Sequence, residues 1–186
     1  YCDCDTDRRR AALTVLDHLY ARLTTWLAPI LTFTMEEVWL ERNGMETSVH
    51  LVDFPNTPRE WCDDELATRS EKVRAVRRVV TGALEQQRTA KVIGSSLEAA
   101  PTVYLSEELT AIITNSDTFA DLCITSQITI VQGDMPDGAF SLDDTAGVGV
   151  VFAMADGSKC ERCWKTLPDV GLSLIHISEP TRPTRI

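Results

Sequence analysis

The sequence predicts a mainly α-helical fold in which a helical bundle is followed by a small α+β unit and a short cysteine-bearing knuckle. Three observations lead to this prediction. Apolar residues recur at helical spacing in the first half of the chain, short β-type runs come later, and one C-x₂-C pair stands near the end. The predicted organisation is residues 1–97 for the bundle, 98–157 for the α+β unit, 158–171 for the knuckle and 172–186 for a non-native tail.

The first predicted helix begins near Asp5, Thr6 and Asp7, whose side chains offer capping oxygens and negative charge. Pro29 ends or kinks this helix, because proline lacks a backbone N–H and disfavours helical backbone at the residue before it. The apolar residues of the helix recur every three or four positions and predict one core-facing side: Ala12, Leu16, Leu19, Leu23, Leu27 and Ile30.

Two further helices are predicted in the first half. Thr34-Met-Glu-Glu37 has the spacing of a capping box, and Asn43-Gly44 ends that helix. An extended connector from Ser48 to Phe54 leads to Thr57-Pro58-Arg59-Glu60, which repeats the capping pattern. A long helix then runs from about Asp63 to Lys91. Its predicted buried stripe consists of Leu66, Val73, Val76, Val80 and Leu84.

The pattern changes after residue 94, where short β-type runs are separated by Ser, Asp, Gly and Pro clusters. Strands are predicted at 103–105, 128–130 and 147–154, with one helix from Ser106 to about Thr114. The boundary between the helical and the α+β parts is expected between Ser95 and Pro101.

The charge balance restricts the possible partners. The chain has 18 Lys and Arg residues against 28 Asp and Glu, a formal net charge of −10. It should repel polyphosphate as a whole, so a contact with nucleic acid requires a local basic patch. No apolar run approaches the roughly 18–20 residues that span a bilayer, and no secretory signal accompanies the scattered cysteines. We therefore expect a cytoplasmic protein with reduced thiols and no membrane partner.

One basic patch is present on the long predicted helix. Between Arg69 and Lys91 there are seven basic residues and two acidic ones. Arg74, Arg77 and Arg78 fall opposite the valine stripe, which is the geometry of a phosphate-contacting surface. The alternative is a solvated face whose cations pair with acidic groups of the same chain. The candidate RNA-binding residues are Arg74, Arg77, Arg78, Arg88 and Lys91.

Cys160 and Cys163 form the C-x₂-C pair and are the candidate metal ligands. Two thiolates at this spacing are able to face one Zn²⁺ ion, which takes four tetrahedral ligands, so half a site is present. A redox motif is a second interpretation, although it is expected at a helix start after a strand. A pair of ordinary thiols is the third. The one downstream candidate for a further ligand is His176, which falls in the segment predicted as non-native.

Signatures of catalysis are absent from the sequence. We find no Walker loop, no Rossmann glycine fingerprint and no Ser/His/Asp or paired-carboxylate arrangement. No catalytic residue is therefore assigned.

Several segments, taken in order, resemble the C-terminal region of bacterial isoleucyl-tRNA synthetases, which are class I enzymes. They are Tyr1-Cys-Asp3, Arg8-Arg-Arg-Ala-Ala12, Trp26-Leu-Ala-Pro-Ile-Leu-Thr-Phe-Thr34, Glu36-Glu-Val-Trp39, Ser48-Val-His-Leu51 and Cys160-Glu-Arg-Cys-Trp164. The resemblance covers Tyr1 to about Gly171 and implies an anticodon-binding helical bundle, with a zinc-ribbon stub that the family completes with a second Cys-x₂-Cys.

The resemblance also implies a role. The parent enzyme charges tRNA(Ile) with isoleucine and uses ATP and Mg²⁺, and its catalytic and editing domains would lie upstream of Tyr1. We therefore expect a monomeric fragment that binds tRNA(Ile), does not bind DNA and has no aminoacylation activity of its own. A stand-alone RNA-binding module, or a structural helical and zinc-ribbon module, is the alternative. A DNA-glycosylase zinc finger shares the ribbon type but would not supply the bundle motifs.

Overall fold

The computed structural model describes residues 7–172 together with His176 and Ser178. The chain divides into two compact units, Tyr1–Cys62 and Asp63–Ile186. The predicted cap at Asp5 and Thr6 lies outside the described residues, as does most of the predicted non-native tail. Within the described part of the chain, no helix is long and apolar enough to cross a bilayer.

From residue 7 onward, unit 1 contains two α-helices, α1 (Asp7–Leu27) and α2 (Thr32–Asn43), and two 3₁₀ helices, Val49–Leu51 and Arg59–Trp61. The end of α1 just before Pro29 and the end of α2 at Gly44, which has φ 79°, confirm both predicted stops.

The two helices of unit 1 pack through aromatic rings. The rings of Tyr20 on α1 and Trp39 on α2 are stacked with centroids 6.2 Å apart. The Arg42 guanidinium lies 4.3 Å from the centroid of the Tyr20 ring, and Asn43 Nδ2 donates to the Tyr20 hydroxyl at 2.9 Å. The face of α1 that meets α2 is therefore the one that carries Tyr20.

The predicted core face of α1 was wrong. Leu16, Leu19 and Leu23 are 59%, 46% and 48% exposed. The buried side chains of α1 are instead Arg22, Thr24 and Thr25. The physical reason is that α2 and the segment after it pack on the other sides of α1. The leucine stripe has no packing partner among the residues described in unit 1.

The predicted capping box of α2 was also wrong. The residue before α2 is Leu31, which makes no side-chain cap. The carboxylate of Glu36 instead accepts hydrogen bonds from Ser48 Oγ and the Val49 N–H, each at 2.9 Å. We predicted this connector as extended, but its residues Val49–Leu51 form a 3₁₀ helix that begins at this contact.

Unit 2 begins with a long helix and continues into a mixed sheet. Its helices are α3 (Asp64–Thr89), α4 (Glu107–Ile112) and α5 (Ser116–Cys123), with a short 3₁₀ helix at Ser96–Glu98. The strands are β1 (Thr102–Leu105), β2 (Thr129–Gln132), β3 (Val148–Val151), β4 (Ser158–Lys159) and β5 (Thr166–Leu167). Asp63 caps α3 by accepting a hydrogen bond from the Leu66 N–H at 2.8 Å.

The main sheet has the order β2-β1-β3, with β2 parallel and β3 antiparallel to β1. Strands β4 and β5 form a separate antiparallel pair. The positions of β1, β2 and β3 agree with the three predicted strands to within a few residues, whereas β4 and β5 were not predicted. The prediction placed one helix between β1 and β2, whereas the structure has two, since Asn115 caps a second helix by accepting from the Thr118 N–H.

The core of unit 2 lies between α3 and the sheet. Val76, Val80 and Leu84 are buried as predicted, but Leu66 is 56% exposed because it precedes the part of α3 that packs on the sheet. The core also includes Val79 and Ala83 of α3, Val103 and Leu105 of β1, Val148 and Val150 of β3, and Phe119 of α5. Because α3 shares this core, the compact units divide before α3, whereas we placed the boundary after it.

Candidate nucleic-acid interface

The predicted RNA-binding residues all lie on α3 or just after its end, in unit 2. Arg77 and Arg78 make contacts within the unit. Arg77 Nε donates to the Leu122 carbonyl oxygen at 2.7 Å. Arg78 Nη2 lies 2.9 Å from Asp144 Oδ2 and 3.1 Å from Thr145 Oγ1. Arg78 thus has an acidic partner in the same chain, whereas the partner of Arg77 is a backbone carbonyl group.

The other three candidates differ in their surroundings. Arg88 contacts the Glu85 carboxylate and donates to Ser96 Oγ at 2.9 Å. Arg74 is exposed, and the hydrogen bond described for its guanidinium is a 3.3 Å contact from Nε to the Ser70 carbonyl oxygen one turn earlier. Lys91 is exposed and has φ 58°. Arg74 and Lys91 thus offer their charges to solvent more openly than the other candidates.

Two basic residues outside the candidate set hold α4 against α3. Lys72 pairs with the Glu108 carboxylate, and Arg69 Nη2 donates to the Ile112 carbonyl oxygen at 3.1 Å. The hydrogen bond and charge of Lys72 lower the pKa of Glu108. These two cations are therefore structural contacts of unit 2.

The C-terminal turn of α5 brings α3 close to the knuckle. Arg77 reaches the Leu122 carbonyl oxygen from α3, and Lys165 Nζ of the knuckle lies 2.7 Å from Asp121 Oδ1. Free carbonyl groups give a helix C-terminus partial negative charge, which favours cations at this position. Arg74 lies one turn before Arg77. Two cations, Arg77 and Lys165, contact this turn. We call them, together with Arg74 of α3 and with Arg162 and Trp164 of the knuckle, the α5-end surface.

Three residues of this surface, Arg162, Lys165 and Trp164, were not among the predicted RNA-binding residues, and Trp164 is the aromatic one. It is 61% exposed and has φ 64°, a left-handed backbone conformation that is uncommon for a bulky side chain. Arg162 is exposed two residues earlier. An aromatic residue interleaved with Lys159, Arg162 and Lys165 was the available signal, because cations beside an exposed ring are typical of single-stranded nucleic-acid sites.

The backbone of the knuckle is closed by its own hydrogen bonds. The Cys160 N–H donates to the Lys165 carbonyl oxygen at 2.8 Å, and the Trp164 N–H donates to the Cys160 carbonyl oxygen at 2.9 Å. The Arg162 N–H points at Cys160 Sγ, 3.4 Å away. Trp164 is thus presented on a closed turn.

The two candidate metal ligands lie on this turn in different environments. Cys160 is fully buried and Cys163 is half-buried. Burial raises the pKa of the Cys163 thiol, a backbone hydrogen bond from Lys165 lowers it, and the neighbouring Cys160 raises it. The amide aimed at a cysteine sulfur fits a knuckle that stabilises thiolates toward a metal.

A complete metal site is not formed by the residues that the structure describes, where no group of three or more His, Cys, Asp or Glu side chains converges. His176, the possible third ligand, contacts Asp169, with Nδ1 and Oδ2 2.8 Å apart. The donor set at the knuckle therefore consists of two thiols.

Comparison with known proteins gives a consistent result. Residues 1–104 match the family described as the anticodon-binding domain of tRNA ligase. The chain is 60% identical over 172 residues to an isoleucine–tRNA ligase of Ruegeria pomeroyi and 52% identical over 172 residues to one of Brucella abortus. It is 48% identical over 184 residues to one of Bartonella henselae.

These matches cover 92%, 92% and 98% of the chain but in each case only 18% of the relative. The chain therefore spans less than a fifth of the length of the curated relatives that it matches. The family match extends over more than half of the chain, through the bundle motifs, the whole of α3 and into β1. The chain belongs to the family of anticodon-binding domains of tRNA ligases.

Proposed function

We propose that this chain is the tRNA-binding part of an isoleucine–tRNA ligase and that it binds the anticodon region of tRNA(Ile). The observation that carries the proposal is the α5-end surface, where Arg77 of α3 and Lys165 of the knuckle both contact the end of α5 and Trp164, next to Lys165 in the chain, is exposed. The family match and the names of the relatives support the same conclusion.

The α5-end surface combines cations, which bind phosphate groups, with an aromatic ring, on which a base is able to stack. Arg74 and Arg162 are exposed cations suited to phosphate oxygens. The Trp164 ring is suited to an unpaired base, since sequence-specific RNA recognition targets unstacked bases in loops. Because the whole chain carries a net charge of −10, binding depends on this local patch and weakens as salt rises.

The chemistry of the whole ligase, charging tRNA(Ile) with isoleucine at the expense of ATP in the presence of Mg²⁺, is assigned to parts of the enzyme outside this sequence. The chain contributes the placement of the tRNA and no reacting group. We propose that the ligase is a cytoplasmic monomer. Isoleucine-dependent exchange of pyrophosphate into ATP by the purified chain would contradict this division of roles.

We further propose that Cys160 and Cys163 provide two of the four ligands of a structural Zn²⁺ in the complete ligase. Two thiols on a closed turn fit the donor preference of zinc, and the remaining two ligands would come from outside the described residues. When bound, the metal would hold the ribbon together and take no part in aminoacylation.

The experiment that tests the function is a titration of the purified 186-residue chain with a fluorescent anticodon stem–loop of tRNA(Ile) at several salt concentrations. We expect saturable binding that weakens steadily with salt. A fully base-paired hairpin with the same stem is the control and should bind more weakly. Equal binding of both RNAs, or no binding of either, would favour the structural-module alternative.

A further inference from the structure

The knuckle is tied to the body of unit 2 by one buried hydroxyl group. Ser126 follows α5 and is 4% exposed. Its Oγ accepts a hydrogen bond from the Thr166 N–H of β5 at 2.6 Å and donates to the Leu97 carbonyl oxygen. Its own N–H donates to the Ala99 carbonyl oxygen at 3.1 Å. Three separate segments of the chain therefore meet at this serine.

A hydroxyl group is required for this double contact. It donates one hydrogen bond and accepts others at the same atom, so it pairs a backbone N–H and a backbone carbonyl together. An alanine here would leave both groups without that partner at a buried position, which is costly. A second polar contact between the knuckle and the body of unit 2 joins Lys165 and Asp121. Their side chains are 27% and 43% exposed, so solvent weakens the ion pair.

The backbone at Gly157, just before the knuckle, packs closely against Leu167 of β5. A Cβ atom on Gly157 would lie 2.2 Å from the Leu167 carbonyl oxygen, and φ at Gly157 is 107°. Leu167 follows Thr166, the residue held by Ser126. Cys160 is fully buried and lies between β4 and β5, so we expect a shift of β5 that breaks the Ser126 contact to expose it.

We propose that Ser126 is the positioning residue of the knuckle. It fixes Cys160, Cys163 and Trp164 on unit 2, so that the two thiols and the indole ring are preorganised before a metal ion or RNA arrives. The inference rests on the proposed function for what the knuckle binds, while the fixing contact itself is independent of any ligand.

The direct test is the rate at which individual cysteines react with N-ethylmaleimide, followed by site-resolved mass spectrometry. In Ser126→Ala, Cys160 should react roughly tenfold faster than in the wild type, because the knuckle opens more often. Cys123, which is 2% exposed in the core of unit 2, reports opening of the whole unit and should keep its rate.

Thr125→Val is the matched control. Thr125 is fully buried beside Ser126, but its hydroxyl reaches the Ala120 carbonyl oxygen at 3.4 Å and does not contact the knuckle. Its removal should leave the Cys160 rate unchanged. A Cys160 rate in Ser126→Ala equal to that of the wild type would overturn the proposal, as would equal acceleration of Cys160 and Cys123.

A second readout uses Cd²⁺ alone as a probe of the thiols. Ultraviolet absorption of the Cd²⁺–thiolate bond should show roughly tenfold weaker binding to Ser126→Ala than to the wild type or Thr125→Val, because the thiols are no longer held together. Unchanged Cd²⁺ affinity would contradict the positioning role. Failure of the wild type to bind RNA would instead remove the proposed function and leave these two results standing.

Discussion

At the scale of single residues, the arginines of α3 differ in whether their guanidinium groups pair with an acidic side chain. Arg74 is exposed and has no described acidic partner, whereas Arg78 pairs with Asp144. We expect Arg74→Gln to reduce the salt slope of RNA binding by about one unit and to change the free energy of unfolding by less than about 0.5 kcal/mol.

Arg78→Gln is the comparison for that substitution. Both groups of the Arg78–Asp144 pair are more than half exposed, so its loss should cost at most about 1 kcal/mol of stability. The salt slope is measured from binding constants at several salt concentrations, and stability from urea unfolding. An Arg74→Gln slope equal to that of the wild type would leave only the solvated-face interpretation for this residue.

Cys123 should make the stability of unit 2 depend on pH. Burial raises the pKa of its thiol to about 12, with the nearby Arg77 charge opposing the rise. The folded state therefore keeps the proton above the unfolded thiol pKa of about 8.5, so stability is complete below that value and falls as pH rises toward 12.

The test is urea unfolding between pH 8 and about 10.5. We expect the free energy of unfolding of the wild type to fall over this range, and the fall to be smaller in Cys123→Ala. Cys62→Ala, which removes an exposed thiol, is the control and should keep the wild-type slope. Equal slopes in the wild type and Cys123→Ala would contradict the assignment.

Residue types and spacing predicted the basic helix and the cysteine pair, but not how their side chains are used. Arg77 donates a hydrogen bond to a carbonyl oxygen 45 positions along the chain. The Glu36 carboxylate accepts hydrogen bonds from Ser48 and Val49 and does not cap the start of α2. Contacts between distant segments are set by the fold, so local spacing gives no information on them. Trp164 was overlooked although basic residues flank it in the sequence, and its left-handed backbone and its exposure became visible in the structure.

At the scale of elements, α1 carries an apolar stripe without a described partner. Leu16, Leu19 and Leu23 are about half exposed, whereas Val49 of the same unit is 2% exposed. We expect the double variant Leu19→Gln/Leu23→Gln to change the free energy of unfolding by less than about 1 kcal/mol, and Val49→Ala to cost roughly 2 kcal/mol. Urea unfolding followed by circular dichroism measures both. A greater loss for the leucine variant would restore the predicted core face.

The same elements show which structure was predictable. Proline, glycine and helical spacing placed α1, α2 and α3 within a few residues, because backbone stereochemistry acts locally. Periodicity also predicted burial on α1, but burial requires a partner surface, and periodicity does not say whether one is present. Helix α5 was missed although Asn115, which caps it, was a local signal available in the sequence.

At the scale of the whole molecule, the compact units divide where α3 begins. The sequence placed the boundary where the composition changes from helical to β-type, near residue 97. Helix α3 packs on β3, and its valines belong to the same buried cluster as residues of β1 and β3, so the long helix shares its core with the sheet. Local composition predicts whether a segment is a helix or a strand. The compact unit to which that segment belongs depends on which other elements it packs against.

The metal content of the chain is a further expectation at this scale. Two thiols supply half of a tetrahedral site, so we expect the purified chain to retain much less than one zinc per chain after dialysis against a mild chelator. The contacts of Ser126 and Lys165 should keep the knuckle folded without metal. One tightly held zinc per chain would show that the site is completed in another way.

We propose that the chain binds unpaired RNA through the α5-end surface, with Trp164 as the stacking residue. Trp164→Gly removes the ring and places glycine where φ is positive, so it should leave the free energy of unfolding unchanged or raise it by up to about 1 kcal/mol. Ile124→Gly, at another positive φ, is the comparison for this backbone effect. Trp164→Phe keeps an aromatic face for stacking.

The most direct measurement is the affinity of wild type, Trp164→Gly and Trp164→Phe for the anticodon stem–loop of tRNA(Ile), taken together with the stability of each variant. Loss of one stacked base should weaken binding by Trp164→Gly roughly tenfold without loss of stability, and Trp164→Phe should recover most of the affinity. Binding by Trp164→Gly as tight as that of the wild type, with the fold intact, would contradict the account.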